Sequence, residues 1–126
     1  MTAATPRLEL TPDDALYGAF ALLCLTRLGD VTSTALGLAT TPLVEENPLM
    51  RGLMADHGTV LALATSTAVA LLATLLVTEG LLAGLRRVAT LSARDRIAFR
   101  VVGYGVPAVL NTVVTMHNVR LLVQTA

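Results

Sequence analysis

The chain has 126 residues, which fits one domain and fits two poorly. Hydrophobic residues make up 54% of it and charged residues 14%, against the roughly 25% charged that is usual in water-soluble domains, so lipid rather than water is the expected main solvent. Nine basic and nine acidic residues cancel to a formal net charge of zero; no basic face remains for a nucleic-acid partner, and that class is excluded.

Every basic residue is arginine and no lysine occurs, which reads as a GC-rich coding bias, since no physical requirement would remove lysine everywhere. Tryptophan is absent, and there are two tyrosines and two phenylalanines, fewer aromatics than a water-soluble core of this size would carry. The single cysteine, Cys24, sits among Ala21, Leu22, Leu23 and Leu25. It can form no intrachain disulfide and reads as a small buried hydrophobe.

Residues 1–14 form a polar tail. Arg7 against Glu9, Asp13 and Asp14 gives none of the basic start that a cleavable signal peptide needs, so none is expected. Thr11-Pro12-Asp13-Asp14 is a helix start: Thr11 can cap, Pro12 suits the first turn, and the two acids favour the positive end of the helix dipole. The first helix is therefore predicted over 12–40. It is longer than the roughly 20 residues that cross the hydrocarbon core. From Ala15 to Thr26 it is free of charge, and its second half carries Arg27 and Asp30.

Arg27, Asp30, Thr34 and Gly37 fall on one stripe of this helix, so the arginine and aspartate can pair. Gly29, Ser33 and Gly37 form a small-residue series at spacing four, suited to close helix contact. One side of the helix is built to face protein. Thr41-Pro42 ends it, because the residue before proline is pushed out of helical geometry.

Asn47 as cap and Pro48 in the first turn restart a helix over 48–57. This short piece either lies at the interface or forms the first turns of the next helix, with Gly58 marking the bend. The second spanning helix is predicted over 58–85, since Gly58 to Thr78 carries no charge. Glu79 follows, then Gly80-Leu81-Leu82-Ala83-Gly84, a GxxxG close-packing pattern. Glu79 reads most simply as an interfacial ion pair with Arg86 and Arg87.

Arg86, Arg87, Arg94, Arg96 and Arg100 make a basic loop opposed only by Asp95. By the positive-inside rule that loop and the N-terminus are expected in the cytoplasm, with the acidic 45–56 connection and the C-terminus outside. The third spanning helix is predicted over 95–123, capped by Ser92 or Thr90. Gly103, Gly105 and Pro107 predict a kink in it. Tyr104, Asn111, Thr115 and Asn118 share one of its faces, while His117 lies on a neighbouring one and reads as a hydrogen-bonded interface histidine.

The expected architecture is an all-α transmembrane bundle of three spanning helices plus the short helix, forming a single integral membrane domain over 1–126. Its polar groups converge toward one membrane side: Arg27, Asp30, Thr34, Glu45, Asn47, Asn111 and Asn118 form the candidate cluster. Interhelical hydrogen bonds that hold the bundle together are one reading of it. A site for a hard cation, with oxygen ligands suited to sodium, magnesium or calcium rather than zinc, is another. Catalysis with Asp30 or His117 as base is a distant third, because no serine or cysteine nucleophile stands at a recognisable spacing. Lipid is the expected partner, together with further copies of the chain or a larger membrane complex, because three helices alone bury little of this surface.

Asp30-x-x-Ser33-Thr34, then Glu45-x-Asn47-Pro48-Leu49-Met50, then an asparagine in the last helix, resembles a family of small archaeal and bacterial multi-helix membrane proteins of unknown function. The resemblance covers most of the chain, with its specificity in the Asp-x-x-Ser-Thr and Glu-x-Asn-Pro elements. It implies a compact multi-helix membrane domain with Asp30, Thr34, Glu45, Asn47, Pro48 and Asn118 as its polar signature. It implies no activity.

Overall fold

The computed structural model describes residues 9–40 and 44–125. Most of the polar tail and the helix stop at Thr41-Pro42 lie outside them. The described residues form four helices and no strand: α1 (Pro12–Thr40), α2 (Pro48–His57), α3 (Thr59–Val88) and α4 (Ala93–Thr125). α1, α3 and α4 have 29, 30 and 33 residues and are each long and apolar enough to cross a membrane. They correspond to the three predicted spans, and the protein is an all-helical membrane protein.

Local chemistry sets the helix ends. At α1, the Thr11 backbone N–H donates to Asp14 Oδ2 at 2.9 Å and the Asp14 N–H donates to Thr11 Oγ1 at 3.1 Å. Ser92 and Asp95 repeat this at α4, at 2.9 and 3.2 Å. Each is a reciprocal capping box that satisfies two helix-start donors, with aspartate in the place usually held by glutamate. The cap at Ser92 explains why α4 begins two residues before the predicted start. α3 runs on past residue 85 to Val88 because Arg86 and Arg87 are good helix formers whose charges suit the negative end of the dipole.

Gly58 separates α2 from α3. Its φ of 81° is a left-handed value, which glycine adopts without a Cβ penalty. Its N–H closes α2 on the Met54 carbonyl at 2.9 Å, and its carbonyl accepts from Ala62 at 3.1 Å in α3. The short helix is thus its own element, and none of its residues is fully buried.

α1 and α4 run parallel and form the main contact of the bundle, with α3 antiparallel across both. The core lies where all three meet. Leu23, Tyr104 and Ala108 are buried, with Leu16, Phe20, Leu71 and Leu75 packed around them. Phe20 meets Tyr104 edge to face, with ring centroids 5.6 Å apart, an arrangement that puts the positive ring edge against the negative ring face.

Small residues allow the close approaches. A Cβ on Gly29 would sit 3.4 Å from Thr115 Oγ1 across the α1–α4 seam. A Cβ on Gly103 would sit 2.6 Å from Thr78 Cγ2 across the α3–α4 seam. α4 continues unbroken through Pro107, whose missing N–H leaves the Gly103 carbonyl without its helical donor. Among the described residues the Gly80-x-x-x-Gly84 pattern serves no close contact, since nothing lies within 4 Å of a Cβ at either glycine. Large aliphatic side chains such as Leu25, Leu28, Leu72, Leu76, Val109 and Leu110 stay exposed, as lipid-facing positions do.

Candidate functional site

Three groups of polar residues lie at different levels along the helices. In α1, Arg27 and Asp30 are one turn apart, and Nη1 of the arginine reaches Asp30 Oδ2 at 2.6 Å. The other terminal nitrogen of Arg27 donates to Ser66 Oγ on α3 at 3.4 Å. Ser66 in turn donates to the Leu63 carbonyl at 3.0 Å. The pair is thus tied to a second span, as groups in hydrocarbon must be when water is absent. Ser66 was not singled out in the sequence, because a lone serine in a run of alanines, leucines and threonines carries no signal of its own.

One turn further along α1, Asn118 bridges from α4. Its Nδ2 donates to Thr34 Oγ1 at 3.0 Å and to Ser33 Oγ at 3.2 Å. Ser33 itself donates to the Asp30 carbonyl at 2.9 Å. Asp30 and Ser33 are buried. Thr34 lies beside the Asp30 carboxylate, and Glu45 is near enough for the like charges of the two acids to interact. Asp30, Ser33, Thr34 and Asn118 thus form one connected polar group between α1 and α4.

Asn47 and Asn111 stand apart from that group. Asn47 is exposed and commits its side-chain oxygen to the Leu49 N–H at 3.0 Å, as the cap of α2. Its own N–H donates to Glu45 Oε1 at 2.9 Å, and Arg51 Nε donates to the Glu45 carbonyl at 2.9 Å. The 45–51 segment is thereby folded on itself. Asn111 is half-buried on α4, and its backbone carbonyl accepts from Thr115 Oγ1 at 2.8 Å. Its side chain makes no hydrogen bond among the described residues.

The third group was not legible in the sequence. Arg100 donates to both carboxylate oxygens of Glu79, through Nε at 2.9 Å and Nη2 at 2.7 Å. Tyr104 OH donates to Glu79 Oε1 at 2.9 Å, and Arg100 Nη1 donates to the Pro12 carbonyl at 2.6 Å. This corrects the expected pairing of Glu79 with Arg86 and Arg87. Those arginines lie seven and eight residues along the same helix, roughly 10–12 Å up the axis, and both are exposed. The available signal was the i, i+4 spacing of Arg100 and Tyr104, which places both on the face that also carries Asn111 and Asn118.

A cleft of about 280 Å³ opens between α1 and α4 at the end that carries the 44–46 segment. Ser33, Thr34 and Asn118 are among its polar lining groups, with Glu45, Glu46 and His117. Leu38, Val44, Val114 and Leu121 supply apolar wall. Among the described residues, neither Glu45 nor Glu46 forms an ion pair. No group of three or more histidines, cysteines or acids among the described residues is arranged to hold a metal ion. Set against family models, curated proteins and solved structures, the chain matches none.

Proposed function

We propose that this is an integral membrane bundle that works by assembling, with further copies of itself or within a larger membrane complex. The observation that carries the reading is an imbalance. Two ion pairs are satisfied within the chain, Arg27 with Asp30 and Arg100 with Glu79, while among the described residues no side chain covers Gly80 or Gly84 on α3. In lipid, helices associate through close approach at small residues, since apolar side chains gain little by leaving acyl chains. The arginines near 86–100 fit the cytoplasmic side, with the N-terminus beside them and the C-terminus outside. The resemblance to small multi-helix membrane proteins agrees with this reading and adds no activity to it.

The test is the molecular mass of the protein in detergent and in nanodiscs, measured by light scattering. The wild type is expected as a dimer or larger. Gly80→Leu with Gly84→Leu is expected to give a monomer of unchanged helix content. A wild type that is monomeric in both media removes the reading.

A second reading is favoured by one observation. Glu45 and Glu46 bring two carboxylates, without ion pairs among the described residues, to a cleft whose other polar groups are two hydroxyls, an amide and the His117 ring. That arrangement suits a cation-binding element between α1 and α4.

A further inference from the structure

We propose that the α1–α4 cleft binds the primary ammonium end of a small amine. The proposal rests on the cation-binding reading and specifies its ligand. The argument starts from which hydrogen-bonding capacity is left over. Asn118 has already given its Nδ2 protons to Ser33 and Thr34, and Ser33 has given its hydroxyl proton to the Asp30 carbonyl. Thr34 stands beside the Asp30 carboxylate, which can only accept. What remains for a guest is Asn118 Oδ1, hydroxyl lone pairs, the Glu46 carboxylate and the Glu45 carboxylate, one oxygen of which already accepts from the Asn47 N–H, with the His117 ring beside them. A guest must therefore bring donors, and positive charge with them.

The neighbouring cations do not answer that demand. Arg27 is committed to Asp30 and Ser66, and Arg51 binds the Glu45 backbone carbonyl rather than a carboxylate. Arg120 on α4 is not part of the lining; His117 is, but a single imidazole stands there against two carboxylates, so acceptors stay in excess.

Three cation classes can be separated by what the lining offers. A bare divalent ion needs several anionic or histidine ligands in coordinating array to replace its hydration, and no such group exists among the described residues. A quaternary ammonium has no N–H to donate and favours a cage of Trp, Tyr or Phe, and none of these is among the described residues that line the cleft. A primary ammonium carries three N–H donors on a compact head, which matches a surround of acceptors. The volume of about 280 Å³ is at the lower edge of the roughly 300–1,000 Å³ of small-molecule sites, so the guest has few heavy atoms inside the cleft. The aliphatic walls suit a short alkyl body. An ethanolamine headgroup of a lipid and a free amine share this chemistry.

The experiment uses the full chain in detergent with n-propylammonium chloride, read by calorimetry and thermal shift. Tetramethylammonium and calcium chloride serve as comparisons. Saturable binding of propylammonium is expected, with tetramethylammonium inert. Glu45→Gln and Glu46→Gln together should weaken it by roughly tenfold or more, the effect of losing a charge-assisted hydrogen bond. Helix content and elution volume check that the variant folds. Nanodiscs then separate the sources, both of which support the proposal: phosphatidylethanolamine nanodiscs that compete with propylammonium point to the lipid, and nanodiscs that leave its binding unchanged point to a free amine. Equal binding of tetramethylammonium, or an unchanged affinity in the double variant, overturns the assignment. Saturable calcium binding without propylammonium binding overturns the ammonium assignment and spares the cation reading. Absence of both removes the two together.

Discussion

Arg100 and Glu79 face each other across the α3–α4 seam with two parallel hydrogen bonds, at 2.9 and 2.7 Å. The same arginine holds the start of α1 through the Pro12 carbonyl, and the same glutamate accepts from Tyr104. One ion pair therefore fastens three helices near the end where α1 and α4 begin. Removing Arg100 strands the Glu79 carboxylate, whose side chain is 28% exposed. Arg100→Ala is expected to cost about 3 kcal/mol of stability. Arg100→Lys should recover part of that, because an ammonium cannot reproduce the two-pronged grip. A double-mutant cycle with Glu79→Gln, followed by reversible unfolding in mixed detergent micelles, reads the coupling. Strictly additive effects would show that the pair does not act as a unit.

Gly103 is the tightest point between α3 and α4. Gly103→Ala would place a methyl group 2.6 Å from Thr78 Cγ2, so the seam must open or Thr78 must move. A loss of about 1–3 kcal/mol is expected, partly recovered by adding Thr78→Ala. Gly105→Ala is the control, since nothing lies within 4 Å of its Cβ position; it should be neutral or gain up to about 1 kcal/mol from helix propensity. Thermal unfolding of the four proteins decides. Equal behaviour of the two alanine variants would mean the seam is not that close.

Asn118 and Asn111 are both asparagines on α4, and they should behave differently. Asn118→Ala removes two interhelical hydrogen bonds to α1 and is expected to cost about 1 kcal/mol, in the range measured for such contacts in membranes. Asn111→Ala removes no side-chain hydrogen bond among the described residues and should cost less. Unfolding free energies measured side by side make the comparison. A larger loss for Asn111→Ala would overturn the assignment of roles.

Asn47 is a cap, and its substitution should act locally. Asn47→Ala is expected to cost about 1 kcal/mol of α2 stability, seen as faster amide exchange confined to 48–57, with α1, α3 and α4 unaffected. Protection lost throughout the spans would instead connect Asn47 to the polar groups of α1 and α4.

The identity of the helices, the start of α1 and the apolar character of the spans were legible without coordinates because each depends on terms a segment carries by itself. Thr11 and Asp14 are three residues apart in sequence and cap α1 wherever it goes; the uncharged run after Gly58 needs no partner to prefer hydrocarbon. Arg27 and Asp30 share a turn, so their pairing was legible for the same reason. Partner choice across helices is different in kind. Glu79 had arginines nearby in sequence, yet the strength of an ion pair falls with distance and rises with dryness, and only the packed register of α3 on α4 makes Arg100 the near, sheltered partner. Likewise Asn47 and Asn118 look alike in composition, but one ends on an exposed turn and the other between two spans. The sequence determined a membrane bundle of three spanning helices with polar groups to satisfy, and tertiary packing alone decided which of them satisfy each other and which are left facing a cleft.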